Sequence, residues 1–175
     1  GVTSMNLTVI RLLILALLLP LCTSCGYAKS DNRTAQIFSQ SAVIREGMVL
    51  AERERFEESL LKFDEALDPK YIGKESDKSY PHHNKARVYR VLGKYSLALK
   101  ESELSNQYAN KKSPSNYHLE LEVLARYEST GDKQLVLDYI DQYIKSRKFP
   151  VMQSMWAVAT LIRLYDAIGE YDKGI

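Results

Sequence analysis

A tyrosine and a glycine recur together along the chain, each at an interval of 38 residues. The glycine follows the tyrosine by four positions in each copy, and the pairs are Tyr89 and Gly93, Tyr127 and Gly131, and Tyr165 and Gly169. Glycine ends a helix without steric strain because it accepts positive φ, and a tyrosine one turn earlier can pack against the next helix. The interval therefore predicts a series of helical hairpins, which must stack because one hairpin cannot bury both of its faces.

Three prolines stand near the predicted starts of the first helices of these hairpins, at Pro81, Pro114 and Pro150. Proline suits a first helical turn because its missing N–H has no partner there. Ser79 and Ser113 precede two of the prolines, and we expect their hydroxyl groups to cap the helices. The polar stretch 74–80 predicts a loop between hairpins.

An earlier copy upstream resembles the tetratricopeptide family, whose repeats carry small and aromatic residues at fixed helical positions. The matching residues are Gly47, Phe56, Ser59, Phe63, Ala66 and Pro69 in this copy, and Ala86, Tyr89, Gly93, Tyr95, Ala98 and Ser105 in the next. The resemblance covers roughly residues 40 to 175. It implies an all-α, right-handed superhelical solenoid of about 3.5 repeats. These residues would pack the repeats together, with Tyr127, Gly131, Tyr165, Gly169 and Tyr171.

The chain also departs from the family pattern. The third copy has Leu124, Lys133 and Val136 where small, aromatic and small residues are usual. The fourth copy has Ile162 at the position that Leu124 occupies in the third. The interval of 38 residues exceeds the 34 of the family, which implies longer loops. A related helical-hairpin solenoid is therefore the alternative fold.

Residues 5 to 25 have the three-part layout of a secretory signal. Arg11 precedes an unbroken apolar run from residue 12 to residue 21, and small polar residues follow. This run is too short to cross about 30 Å of hydrocarbon as a helix. An uncleaved membrane anchor is the alternative.

The end of this leader resembles a bacterial lipobox. Cys25 follows two small residues, as the pattern requires, although Cys22 stands where leucine is usual. Cys22 itself follows the bulky Leu21, so Cys25 is the expected lipidation site. By the same resemblance, Gly26 favours the outer membrane, with the protein facing the periplasm. The expected organisation is a leader with upstream residues (1–25), a flexible tether (26–36) and a repeat domain (37–175) that is truncated in its last hairpin.

Motifs for catalysis are missing from the sequence: it has no glycine-rich phosphate loop, nucleophile elbow or metal-protease motif. Cys22 and Cys25 are the only cysteines, and their C-x-x-C spacing lacks the βαβ context of a redox site. His82 and His83 are adjacent on a predicted helix, with rings about 100° apart, so we expect surface residues and no metal site. A net charge of +2 gives no reason to expect nucleic acid. We therefore expect no enzyme, cofactor or metal.

The resemblance also implies a groove lined by the first helix of each repeat. The expected binding residues are His83, Asn84, Arg87, Arg90, Trp156 and Arg163, with Ile44, Met48, Leu121, Ala125, Glu128, Ala159 and Thr160 beside them. Apolar side chains mixed with arginines suit an extended or helical peptide of some acidic character. The alternatives are exposed residues without a ligand and, for Trp156, a place in the core.

These features lead to one principal functional hypothesis and two alternatives. The principal hypothesis is a non-enzymatic, membrane-tethered scaffold that binds other envelope proteins. The first alternative is a targeting or regulatory arm of a larger envelope enzyme whose catalytic domain lies beyond residue 175. The second is a glycan-binding module, for which few exposed aromatic platforms can be assigned.

Overall fold

The structure, a computed structural model, describes residues 32–113, 115–146 and 155–170, apart from the side chain of Trp156. The chain divides into two compact units, residues 1–35 and 36–175, and only residues 32–35 of the first unit are described. The leader with Cys22 and Cys25, most of the expected tether, and Pro114, Pro150 and Tyr171 therefore lie outside the described residues.

All regular structure in the described residues is helical, which confirms the all-α prediction. The α-helices are α1 (Asn32–Glu52), α2 (Phe56–Glu65), α3 (Ser79–Val91), α4 (Tyr95–Tyr108), α5 (Asn116–Thr130), α6 (Lys133–Ser146) and α7 (Met155–Ala167). Two short 3-10 helices, Pro69–Tyr71 and Glu75–Lys78, join α2 to α3. From α2 onwards, each helix packs against the next one along the chain. No helix within the described ranges is both long and apolar enough to cross a membrane.

The three repeated glycines have the positive φ that their positions predict, 69° for Gly93, 69° for Gly131 and 74° for Gly169. Two of them end a helix in the same way, because the N–H of the following residue bonds to the carbonyl of the repeated tyrosine. These bonds run from Lys94 to Tyr89 and from Glu170 to Tyr165, both at 2.9 Å. At the third, the N–H of Gly131 itself donates to Tyr127 at 2.8 Å. The repeated tyrosine thus supplies a carbonyl to the helix end, as in Schellman and αL motifs.

The first hairpin makes the same turn without a glycine. Glu54 has φ of 60°, and Arg55 donates to the carbonyl of Leu50 at 2.9 Å across the turn between α1 and α2. Phe56, the first residue of α2, follows Glu54 by two positions, as Tyr95 follows Gly93. Glu54 therefore occupies the turn position that glycine holds in the later hairpins.

Contact between α1 and α2 is close because Gly47 has no side chain. A Cβ added at Gly47 would lie 2.7 Å from Cε1 of Phe63, whose ring is buried. The Ser59 hydroxyl donates to the carbonyl of Gly47 at 2.7 Å. A buried hydroxyl needs such a partner, so Gly47, Ser59 and Phe63 form one packing unit between the two helices.

Two apolar clusters hold the helices together. The first joins α1, α2 and α3 through Val43, Ile44, Phe63, Ala66 and Val88. The second joins α5, α6 and the end of α7 through Leu124, Val136, Ile140, Leu164 and Ile168. Between the clusters, Ala86 on α3 and Ala98 on α4 are fully buried. Small residues at this crossing let the two helix backbones approach closely.

Four local predictions differ from the structure. Ser79 is the first residue of α3 and does not cap it; its hydroxyl instead donates to the carbonyl of Ser105 on α4 at 2.9 Å. The cap of α5 is Ser115 and not Ser113, because the Ser115 side chain accepts from the His118 N–H. The expected loop 74–80 is instead a 3-10 helix followed at once by α3. Helix α1 also includes residues 32–36, which we expected in the tether.

Candidate binding groove

A cavity of about 340 Å³ lies between the end of α1, the start of α2 and the face of α3. Three residues expected in the groove, Asn84, Arg87 and Arg90, line it from α3, and Met48 lines it from α1. The other lining residues are Ala51, Glu52, Glu54, Phe56, Phe63, Val88 and Val91. We call this space the first cavity. Its walls combine apolar side chains with carboxylates on the α1 side and guanidinium groups on the α3 side.

A second cavity of about 220 Å³ shares Arg90 and Val91 with the first. Most of its lining residues lie on α3, α5 and α7, which are three of the predicted first helices, and Tyr95 lines it from the start of α4. Its lining residues are Arg90, Val91, Gly93, Tyr95, Glu120, Leu124, Arg163, Asp166 and Ala167. The structure thus brings two of the expected groove residues, Arg90 and Arg163, to one space.

The carboxylate of Glu120 lies between these two arginines. Glu120 is 3% exposed, and its Oε1 accepts from Nη1 of Arg90 at 3.1 Å. Nη2 of Arg163 lies 3.7 Å from Oε2, within ion-pair distance but too far for a hydrogen bond. One buried carboxylate therefore serves two guanidinium groups.

Several donor atoms around Glu120 are buried without an acceptor among the described residues. They are Nε of Arg90, Nε of Arg163 and the hydroxyl of Tyr117. The Arg90 guanidinium lies 5.4 Å from the centre of the Tyr117 ring. Burial, more than any neighbouring charge, raises the pKa of Tyr117 to about 12, so its hydroxyl stays protonated and is a donor at neutral pH.

His83, also expected in the groove, lies between two aromatic rings. Its ring is stacked on Tyr80 at 6.4 Å and meets Tyr117 edge-on at 5.6 Å. Burial lowers the pKa of His83, and the nearby charges of Arg87, Lys111 and Arg90 lower it further. His83 lines neither of the two cavities, and its contacts are those of a packed side chain.

Two further expected groove residues are in the core. Ile44 is 4% exposed and belongs to the first apolar cluster, and Leu121 is fully buried, so both predictions are wrong. Glu128 lies on the surface, where its carboxylate accepts from the N–H and the hydroxyl of Ser96 at the start of α4. The side chain of Trp156 lies outside the described residues.

The expectation that His82 is a surface residue is also wrong. His82 is 8% exposed, and its Nδ1 lies 2.6 Å from the Glu101 carboxylate. Lys85 bridges Glu101 and Asp64, at 2.9 Å and 2.8 Å. The His82 ring is stacked on Tyr108 at 5.4 Å. This ion network joins α2, α3 and α4. No local sequence pattern predicts it, because the partners lie 16 to 21 positions from Lys85 and 19 from His82.

Within the described ranges, no group of histidine, cysteine, aspartate and glutamate residues is arranged to hold a metal ion. Comparison of the chain with protein-family models, with curated proteins and with solved structures gives no match in any of the three.

Proposed function

We propose that this chain is a non-enzymatic, membrane-tethered scaffold of the bacterial envelope. Its helical hairpins would stack as a tetratricopeptide-like array and bind a peptide or helical segment of another envelope protein. The observation that supports this proposal most directly is the first cavity, where Arg87 and Arg90 line a space beside apolar side chains. Asn84 also lines it, but Asn84 is 2% exposed and its amide N–H donates to the carbonyl of Tyr80 at 2.9 Å.

The packing of α1 on α2 supports the tetratricopeptide-like arrangement. The family pattern requires a small residue in the first helix where an aromatic ring of the second helix packs, and Gly47 and Phe63 meet in this way. Ala66, Ala86 and Ala98, at the other small positions of the pattern, are fully buried. Consecutive packing of the helices is also what a stacked array requires.

The first cavity has the size and chemistry of a recognition site. Its volume is within the range of about 300 to 1,000 Å³ that is typical of ligand pockets. Met48, Phe56 and Val91 offer apolar contact to a side chain of the bound segment. Arg87 is exposed and forms no ion pair within the described part of the chain, so its guanidinium can pair with an acidic group of a partner.

Capture from envelope extract with the full-length protein as bait tests the groove assignment. Arg87→Glu should lose the partner that the wild type retains, because the substitution reverses the charge at the cavity wall. Arg126→Glu is the matched control, since Arg126 is exposed on another first helix, α5, and lines neither cavity. Undiminished capture by Arg87→Glu would contradict the assignment.

The membrane tether is part of the same proposal. Cys25 lies outside the described residues, and its support is the sequence context that resembles a lipobox. Cells grown with labelled palmitate should label the wild type and Cys22→Ala, and should not label Cys25→Ala. Label that persists in Cys25→Ala would refute the site. The location in the outer membrane rests on Gly26 and is tested by separating the two membranes.

A further inference from the structure

We infer that the second cavity is a subsite for a carboxylate, supplied by an aspartate or glutamate side chain of the bound segment. This inference rests on the proposed function, because it names the chemistry that the partner brings to the groove. It assigns Arg90 and Arg163 as the residues that hold the carboxylate.

The supply of positive charge in this cavity exceeds what Glu120 can pair. Among the side chains of Arg90, Glu120 and Arg163, the described residues show one hydrogen bond, from Arg90 to Glu120. The Arg163 guanidinium lies 3.7 Å from the Glu120 carboxylate. The Arg163 side chain is 37% exposed, whereas that of Arg90 is 16% exposed. Arg163 is therefore the guanidinium that an incoming group can reach most easily.

The unpartnered donors indicate what that group must be. Nε of Arg90 and Nε of Arg163 are both buried, and neither has an acceptor in the described part of the chain. A buried donor without an acceptor is unfavourable, so a ligand rich in acceptors gains more here than at an exposed arginine. A guanidinium presents its Nε and one Nη as a planar fork that matches the two oxygens of a carboxylate.

Space and charge allow a second carboxylate in addition to Glu120. The cavity of about 220 Å³ lies beside both arginines. Asp166 also lines it, but Asp166 is exposed and solvent screens its charge. Arg87 is a third positive charge near this cavity. The charges of Arg87, Arg90 and Arg163 all act on Tyr117, whereas the only negative charge that acts on it among the described residues is that of Glu120.

The test follows the N–H groups of the two arginine Nε atoms by NMR. The full chain, labelled with ¹⁵N at arginine and held in detergent micelles, is titrated with N-acetylglutamate methylamide, and the N–H signals of the arginine Nε atoms are followed by NMR. The uncharged glutamine analogue is the matched probe. We expect the glutamate probe to move the signals of Arg90 and Arg163 saturably, with an affinity about tenfold higher than that of the glutamine probe.

Variants separate the subsite from a general charge effect. Arg163→Gln should weaken the response of Arg90 to the glutamate probe about tenfold, and it keeps the Arg90–Glu120 hydrogen bond. Arg126→Gln should leave the titration unchanged. A response that is equal for the two probes, or the absence of a saturable response, would overturn the subsite.

The two proposals can fail separately. If Arg87→Glu loses the partner and the Nε signals do not change on titration, the scaffold function is supported and the carboxylate subsite is contradicted. Saturable Nε shifts together with undiminished capture by Arg87→Glu would support the carboxylate subsite and contradict the groove as the place where the partner binds.

Discussion

Arg90 on α3 donates a hydrogen bond of 3.1 Å to the carboxylate of Glu120 on α5, 30 positions further along the chain. Both side chains are largely buried, at 16% and 3% exposure. A buried charge that loses its partner is strongly unfavourable, because neither water nor another ion compensates it. The pair therefore fixes α3 relative to α5 at the second cavity.

Replacing Glu120 should reveal this dependence. We expect Glu120→Leu to lower the free energy of unfolding by about 3 to 5 kcal/mol, since it leaves Arg90 buried without its carboxylate. The double variant Glu120→Leu, Arg90→Leu should lose less than Glu120→Leu alone, because it removes both charges. Urea denaturation of the three proteins measures the difference. A loss below about 1 kcal/mol in Glu120→Leu would show that the pair is not buried as described.

A second prediction concerns the contact of Gly47 with Phe63. Gly47→Ala places a methyl group 2.7 Å from the buried ring and should lower the free energy of unfolding by about 1 to 3 kcal/mol. Phe63→Leu removes ring atoms from the contact, so the double variant should lose less than the sum of the two single variants. Ser41→Ala, at an exposed position of the same helix, is the control. Additive losses in the double variant would contradict the contact.

A third prediction uses the turn that lacks a glycine. Glu54 holds φ of 60°, a conformation that costs a residue with a Cβ about 1 kcal/mol. Glu54→Gly should therefore raise the free energy of unfolding by about 0.5 to 1 kcal/mol. The reverse change, Gly93→Ala, should lower it by a similar amount, and entirely through the backbone, because no atom lies within 4 Å of the added Cβ. Thermal denaturation compares the two, and a destabilised Glu54→Gly would refute the equivalence of these turns.

A fourth prediction is a dependence of stability on acid. Burial would raise the pKa of Glu101, but hydrogen bonds from His82 and Lys85 outweigh it and hold the pKa below its usual value of 4.5. Because the folded pKa is the lower one, the stability that Glu101 contributes is complete above pH 4.5 and is lost as the pH falls through the folded pKa.

Chemical denaturation at a series of pH values measures this contribution. The wild type should lose stability steadily below pH 4.5, and Glu101→Gln should show a flatter profile over the same range. Glu103→Gln is the matched control, since Glu103 is exposed on the same helix. Identical profiles for the wild type and Glu101→Gln would contradict the role of the network.

The sequence predicted the parts of the fold that local chemistry determines. The spacing of tyrosine and glycine located the ends of α3, α5 and α7, because glycine adopts positive φ at a helix end without the strain that a Cβ causes. Ser79 shows the limit of such reasoning. Its hydroxyl could cap the helix locally or bond to the carbonyl of Ser105, 26 positions away. It bonds to Ser105, because tertiary packing places that carbonyl within reach.

The groove was predicted less completely than the turns. The resemblance to the tetratricopeptide family predicted Arg90 and Arg163 as groove residues, but it did not predict Glu120 between them. Glu120 lies 30 positions after Arg90 and 43 before Arg163, so no local spacing indicates the pairing. Leu121 was assigned to the groove although it is fully buried. An error of about one position on a helix rotates a side chain by about 100°, so the choice between groove and core depends on the actual helix packing.

Site-specific photo-crosslinking in intact cells tests the central claim most directly. A photoreactive amino acid replaces Arg87 at the first cavity in one full-length protein and Leu61 in a second, since Leu61 is 67% exposed on α2 and lines neither cavity. We predict one discrete adduct with another envelope protein from position 87 after irradiation, and none from position 61. Equal adducts from both positions, or no adduct from position 87, would contradict a scaffold that binds its partner in this groove.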